Sequence, residues 1–272
     1  MNKRILCLAL CAFLCVGLLG CTYPVPEVYW ATNPTTETVT EPTVPETTQE
    51  TTQETTLPNP YENLHSGIRA DGSFNEGTVF VGDSLTYGLI YFHLSSHDLL
   101  GDARYMAIAG IPLNVYFSDW FVLGSSHGDK NGQIYTPEFY GMSYAEAIEA
   151  IGGEATAIYM MLGTNGSDYT PLEEYITVLD HMLENCPNAT IYLQTVPISR
   201  SSVVFYDTIN GIIRQAAQHY ADRGETRVVL LDTFTVLEKK HLVPDGIHLT
   251  EEGQAVWYQF LVDSTTALGL PE

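Results

Sequence analysis

The chain has 272 residues, of which 33 are acidic and 11 basic, so its formal net charge at pH 7 is −22. Such an acidic chain is unlike proteins that bind nucleic acid or lie on anionic lipid, whereas neutral carbohydrate or a small ester would not be repelled. The chain is long enough for one α/β domain with a substantial core.

The first 20 residues have the pattern of an export signal. Lys3 and Arg4 precede an apolar run over residues 5–20, which is shorter than the roughly 20 residues that a bilayer span needs. The run closes with Leu-Leu-Gly before Cys21, an ending that resembles a bacterial lipoprotein signal. The resemblance implies cleavage before Cys21 and lipidation of its sulfur, and the alternative is an uncleaved anchor helix. In both cases we expect the chain to be held at a membrane, outside the cytoplasm. Removal of the signal leaves 9 basic and 33 acidic residues, a net charge of −24.

Residues 21–60 have the composition of a spacer. Thr, Glu, Pro and Gln recur with almost no core-forming residues, so burial would not offset the entropy of ordering and we expect a disordered linker. An extended proline-rich chain rises ~3.1 Å per residue, which gives a reach on the order of 100 Å and suits work within a cell wall. Beyond the linker, Cys186 is the one remaining cysteine, so no intrachain disulfide is expected.

The folded domain is expected over residues 61–272, and its first strong signal is a strand-to-helix corner. An apolar run over residues 78–81 leads through Gly-Asp to Ser84, and the apolar periodicity of residues 85–94 then predicts a helix. A serine at such a corner points out of the carboxyl edge of a sheet and lies at the positive end of a helix dipole. That position suits a nucleophile, and an ordinary Asp-Ser helix cap is the alternative.

Apolar runs and helical patterns alternate through the rest of the domain. The runs are continuous, as in strands buried on both faces, and predict a three-layer α/β/α sandwich around a five-stranded, mainly parallel sheet of SGNH hydrolase or flavodoxin-like type. The predicted strands are Val79 to Val81, Arg104 to Ile108, Ala157 to Leu162, Thr190 to Gln194 and Arg227 to Leu231.

An aromatic segment over residues 115–140 interrupts this alternation. Its Asn-Gly turn predicts a hairpin between residues 121–123 and 133–135. The rings could stack on sugar or on an acyl chain, or they could fill core and cover a sheet edge.

Four short blocks follow one another in an order that resembles the SGNH, or GDSL-type, hydrolase family. They are Gly82-Asp83-Ser84-Leu85, Ala109-Gly110, Gly163-Thr164-Asn165 and Asp245-Gly246-Ile247-His248. The resemblance implies that Ser84 is the nucleophile, with Gly110 and Asn165 supplying amide donors. The third block has Gly166 where the family often has Asp, and the second has Ala109 where the family often has Asn.

The residue types match the needs of acyl transfer. A base must activate Ser84, and His248 can do so while Asp245 holds the other ring nitrogen. The N–H groups of Ser84 and Gly110 and the side-chain amide of Asn165 would stabilise the oxyanion. Asp232, after the last predicted strand, is a rival for the acid, although it could equally cap the next segment.

No cofactor is indicated. His93 and His97 are four residues apart on the first helix, but no further ligand pattern supports a metal, and no phosphate-binding or dinucleotide-binding glycine motif is present.

The sequence therefore predicts an extracytoplasmic, lipid-anchored serine esterase that removes small acyl groups, above all acetyl, from carbohydrate. Its expected partners are an acylated carbohydrate or other small ester and, through the lipid on Cys21, the membrane; nucleic acid is not expected. A lipase or lysophospholipase, and a wall-binding protein without activity, are the alternatives.

Overall fold

The structure is a computed structural model that describes residues 64–119, 121–125, 132–165, 170–197 and 203–268. The predicted signal over residues 1–20, the predicted linker over residues 21–60 and the predicted lipidation at Cys21 lie outside these ranges.

Strands and helices alternate along the described chain. The strands are β1 (Thr78–Gly82), β2 (Arg104–Ile108), β3 (Gln133–Tyr135), β4 (Ala157–Met161), β5 (Thr190–Gln194) and β6 (Val228–Leu231). The helices are α1 (Ser84–Gly88), which continues as a π-helix over Leu89–Leu94, α2 (Tyr144–Ile151), α3 (Leu172–Asn185), α4 (Val203–Ala221) and α5 (Glu251–Ala267). Short 3₁₀ turns lie at Leu113–Val115, Pro137–Phe139, Gly152–Glu154, Thr233–Thr235 and Lys239–His241.

The sheet has the strand order β3-β2-β1-β4-β5-β6, in which the pairs are parallel except for β2 with β3. The α/β class and the five parallel strands predicted from apolar runs are confirmed, because β1, β4 and β5 are buried along their whole length. The predicted strand number of five was wrong, since β3 adds a sixth.

The predicted hairpin was also wrong. Residues 133–135 pair antiparallel with β2, with Ile134 opposite Ala107, and residues 121–123 form no strand. The edge of the parallel sheet has unpaired backbone groups, and this short strand covers them. The extended segment at residues 133–135 was predicted correctly, but its partner strand is distant in the sequence and was not.

The connections place helices on both faces of the sheet. Helices α2, α3 and α4 pack in a row, and α5 packs on the π-helix that follows α1. Since parallel crossovers are right-handed, the reversal in strand order between β1 and β4 puts these two groups on opposite faces. A crevice opens at such a reversal, beyond the carboxyl ends of the strands, and this is where open α/β sheets bind their ligands.

Two further observations concern the helices and the cysteine of the described residues. Within these ranges we find no helix of the length and apolarity that a membrane crossing would require. Cys186 is buried and unpaired, and burial raises the pKa of its thiol to about 11, as expected for a cysteine that packs rather than reacts.

Candidate active site

Ser84 lies at the sharp corner between β1 and α1. Gly82 permits the close approach of the neighbouring strand, because a Cβ there would lie 2.8 Å from the carbonyl oxygen of Met161. Asp83 caps the helix by accepting a hydrogen bond from the N–H of Leu85 at 3.0 Å. The corner holds Ser84 at the carboxyl edge of the sheet, next to the reversal in strand order.

A chain of hydrogen bonds joins Ser84 to the loop before α5. The Oγ of Ser84 lies 3.0 Å from Nε2 of His248, and Nδ1 of His248 lies 2.7 Å from Oδ2 of Asp245. A carboxylate beside Nδ1 favours the tautomer with its proton there, which leaves Nε2 free to accept the proton of the serine. The structure thus brings together three side chains that the sequence separates by up to 164 positions.

The loop itself fixes the acid and the imidazole. Leu242 and Leu249 form an antiparallel bridge, and the N–H of Val243 donates to the carbonyl of His248 at 2.9 Å. Oδ1 of Asp245 accepts the backbone N–H groups of Ile247 and His248 at 2.8 and 3.0 Å. Partial burial raises the pKa of Asp245, but the hydrogen bonds from His248 and from these amides outweigh it, so the pKa lies below its ordinary value. Asp245 is therefore ionised over the range in which histidine titrates.

Donor groups for an oxyanion border the same space. Gly110, after β2, has φ of 77°, which glycine adopts without strain, and its N–H has no acceptor among the described residues. The N–H of Ser84 is at the start of a helix, where no intrahelical acceptor exists. Asn165, after β4, completes the group of three, and all three residues line one cleft with His248.

Asp83 orients Asn165. Oδ2 of Asp83 accepts a hydrogen bond from Nδ2 of Asn165 at 3.1 Å, which leaves the second amide hydrogen of Asn165 available to the cleft. Asp83 is fully buried, and desolvation raises the pKa of its carboxyl to about 6, against the opposing effects of Leu85 N–H, Thr164, His248 and Asn165. From the sequence, Asp83 is expected only to cap the helix. Its role as an anchor for Asn165 depends on β1 and β4 being neighbours.

Asp232, the rival acid, does not contact His248. Its carboxylate forms a bidentate ion pair with Arg214 at 2.9 to 3.1 Å and accepts the hydroxyl of Thr195 at 2.9 Å. These contacts tie β5, β6 and α4 together, so Asp232 is a structural residue.

The cleft has a volume of about 440 Å³, within the range of small-molecule sites. Its walls come from α1, the π-helix, the end of β2 and the start of α5. None of the described residues of the aromatic segment 115–140 lines it. Tyr116 and Phe139 are buried in the core, whereas Phe117 and Tyr140 are exposed elsewhere, so the rings near the cleft are Tyr87 and Phe92 instead.

The two histidines of the first helix do not form a metal site with any third ligand that the structure describes. The rings of His93 and His97 are 4.6 Å apart, and His93 also packs against Tyr258. Within the described ranges, no group of three or more His, Cys, Asp or Glu side chains could hold a metal ion.

Comparisons with known proteins give the fold. No protein-family model matches the sequence, and no curated protein sequence is significantly similar to it. Among solved structures, an active-site mutant of a family two carbohydrate esterase from Clostridium thermocellum is similar with a TM-score of 0.50 and 14% identity, covering 71% of this chain and 64% of that one. A protein from Parabacteroides merdae assigned as a GDSL-like lipase has a TM-score of 0.49 and 11% identity, covering 74% of this chain and 99% of that one. A carbohydrate esterase family 3 structure from Talaromyces cellulolyticus has a TM-score of 0.47 and 16% identity, covering 70% of this chain and 97% of that one.

These identities are low, so the similarity concerns the fold and not the substrate. The strand order and the meeting of four separate sequence blocks at one edge of the sheet agree with it. The chain therefore has the same α/β fold as the family two carbohydrate esterase structure.

Proposed function

We propose that the chain is a serine esterase that removes small acyl groups, above all acetyl, from carbohydrate outside the cytoplasm. The observation that carries the proposal is the continuous hydrogen-bonded chain from Ser84 through His248 to Asp245, at 3.0 and 2.7 Å. Such an arrangement activates a hydroxyl for attack on an acyl carbon.

In the acylation step, Nε2 of His248 takes the proton of Ser84 as Oγ bonds to the acyl carbon, and the carbonyl electron pair moves onto oxygen. The N–H groups of Ser84 and Gly110 and the side chain of Asn165 stabilise that oxyanion. Collapse breaks the ester C–O bond, and His248 gives its proton to the departing alcohol oxygen. Water then attacks the acyl-serine by the same route, with His248 as base and then as acid, and the carboxylic acid leaves. Asp245 orients the imidazole and stabilises its positive charge throughout.

Three features support a small, neutral substrate. The cleft is modest in volume, its described lining contains no lysine or arginine, and the chain is strongly acidic. The family two carbohydrate esterase with a similar fold supplies carbohydrate as the substrate class for the proposal. The predicted lipid on Cys21 and the spacer over residues 21–60 would place such an esterase at the cell envelope.

The test compares release of p-nitrophenol from acetyl and octanoyl esters by the wild type, Ser84→Ala and Ser96→Ala. We expect Ser84→Ala to lose nearly all activity, and Ser96→Ala, which changes an exposed serine in the turn that follows the π-helix, to retain it. Equal hydrolysis by wild type and Ser84→Ala would remove the enzyme proposal and favour a wall-binding protein. A clear preference for octanoyl would favour the lipase alternative instead.

A further inference from the structure

The helix that follows Ser84 presents a cluster of aromatic rings, which we call the aromatic wall: Tyr87, Tyr91 and Phe92. The rings of Tyr87 and Tyr91 are stacked, with their centroids 5.6 Å apart and an interplanar angle of 15°. The ring of Phe92 stands edge-on to both, 6.5 Å from Tyr87 and 5.0 Å from Tyr91. The three side chains therefore form one continuous surface.

The π-helix explains why these rings share a side. Residues four apart lie on one face of any α-helix, which accounts for Tyr87 and Tyr91. The wider i→i+5 turns over Leu89–Leu94 bring Phe92 near Tyr87 as well, although it is five residues further along. Tyr91 is 54% exposed and Phe92 59% exposed, and such large apolar side chains grouped at a surface are typical of a binding site.

The aromatic wall is continuous with the cleft. Tyr87 and Phe92 line it together with Ser84 and His248, so a group bonded to an acyl carbon at Ser84 would lie within reach of the rings. The wall is therefore placed to contact a substrate.

A buried amide forms part of the same lining. Gln254 is only 3% exposed, it lines the cleft, and its Oε1 has no hydrogen-bond partner among the described residues. A buried polar group without a partner is unfavourable, so a ligand that satisfies it gains affinity. A hydroxyl group both donates and accepts, and it can therefore bond to either end of the amide.

Gly88 leaves space for the side-chain amide of Gln254. A Cβ at position 88 would lie 2.8 Å from Nε2 of Gln254, so glycine lets the side chain lie against the helix without having to shift. The described lining combines ring faces of partial negative charge with an amide, and it contains no cation. It therefore fits a neutral molecule with an apolar C–H face and hydroxyl groups.

We propose that the aromatic wall and Gln254 bind a neutral sugar ring, the alcohol part of the ester whose acyl group is transferred to Ser84. This proposal rests on the proposed esterase function, and in it the alcohol part of the substrate determines specificity. An acyl chain of a lipid is the competing ligand. The net charge of −22, the absence of a described cation in the cleft and the unsatisfied amide all favour the sugar.

The first experiment measures kcat/KM for methyl 6-O-acetyl-β-D-glucopyranoside and for ethyl acetate, which lacks the ring. We expect the wild type to prefer the sugar ester, and Phe92→Ala and Gln254→Leu each to lower the ratio of the two values by about 3- to 10-fold. Tyr140→Ala removes a ring that is 68% exposed and outside the cleft, and should leave the ratio unchanged. An unchanged ratio in Phe92→Ala, which removes a mainly exposed side chain and should fold normally, would overturn the proposal, as would a wild type that prefers octanoyl esters of ethanol.

The second experiment separates this inference from the esterase proposal. Saturation-transfer NMR of the Ser84→Ala chain with the acetylated glucoside reports binding without turnover, and the signal should fall when Phe92→Ala is added. Binding without any hydrolysis by the wild type would refute the esterase and keep the sugar site. Hydrolysis that depends on Ser84 but shows no sugar preference and no such binding would refute the sugar site alone.

Discussion

Asn165 donates a hydrogen bond to a carboxylate that is completely buried, that of Asp83, over 3.1 Å. The same carboxylate accepts the N–H of Leu85 with its other oxygen. The contact therefore couples the helix that carries Ser84 to the loop that carries Asn165, the third of the proposed oxyanion donors.

Asn165→Ala should lower kcat by about 10²- to 10³-fold with a much smaller change in KM, because the donor acts on charge that develops in the transition state. Steady-state kinetics on p-nitrophenyl acetate measure both constants. A loss confined to KM would show that Asn165 binds substrate and does not stabilise the oxyanion.

Asp83→Asn should also lower kcat, since an amide nitrogen would then face Nδ2 of Asn165 or the N–H of Leu85. We expect a loss of roughly 10-fold or more, smaller than for Asn165→Ala, because the donor itself remains. A rate equal to wild type would mean that Asn165 holds its orientation without the carboxylate.

The same substitution should change the pH dependence of stability. The pKa of Asp83 is raised from 3.8 to about 6 in the folded state, so the folded chain binds the proton more tightly than the unfolded chain. Its contribution is therefore favourable at low pH and is lost as the pH rises from about 4 to above 6, by about 3 kcal/mol. The free energy of unfolding can be measured with urea at pH 4, 6 and 8. Relative to the wild type, that of Asp83→Asn should rise by that amount as the pH rises. A difference between the two proteins that does not change with pH would contradict the raised pKa.

Asp245→Asn should reduce kcat by about 10²- to 10⁴-fold, because an amide beside Nδ1 of His248 favours the wrong tautomer. The matched control is Asp232→Asn, which breaks the ion pair with Arg214 and should lower stability while the rate per folded molecule stays close to wild type. Comparable losses of kcat in the two variants would reopen the assignment of the acid.

His93 should make the fold sensitive to acid. It is buried against His97 and Tyr258 with Nδ1 unpartnered among the described residues, and desolvation followed by the charge of His97 lowers its pKa, while Glu251 opposes this. The unfolded chain then binds more protons as the pH falls below 6.5, so stability declines in that range. His93→Phe keeps a ring against Tyr258 and should show a smaller decline in unfolding free energy between pH 7 and 5. A decline in His93→Phe as large as in the wild type would contradict the assignment.

Local patterns in the sequence were sufficient for the parallel strands and for the corner at Ser84. Continuous apolar runs bounded by turns predict strands buried on both faces, and five of them match β1, β2, β4, β5 and β6 to within one residue. The order of the four short blocks also led to Ser84, Gly110, Asn165, Asp245 and His248, which line the cleft or contact a residue that does. The strands and the corner could be predicted because neighbouring residues determine the burial pattern, the turns and the helix caps.

The tertiary structure decided the remainder, because each remaining feature depends on residues distant in the sequence. Residues 133–135, which were expected to pair with residues 121–123, pair with β2 instead and become a sixth strand of the sheet. The ion pair with Arg214 holds Asp232 away from the site. Because β1 and β4 are neighbours, the helix cap Asp83 also anchors Asn165. The aromatic rings beside the cleft proved to be those of the first helix, because the π-helical turns and the packing of α5 place Phe92 and Gln254 there. Composition and spacing report what a segment can do by itself, whereas a site formed where several segments meet exists only once the chain has folded.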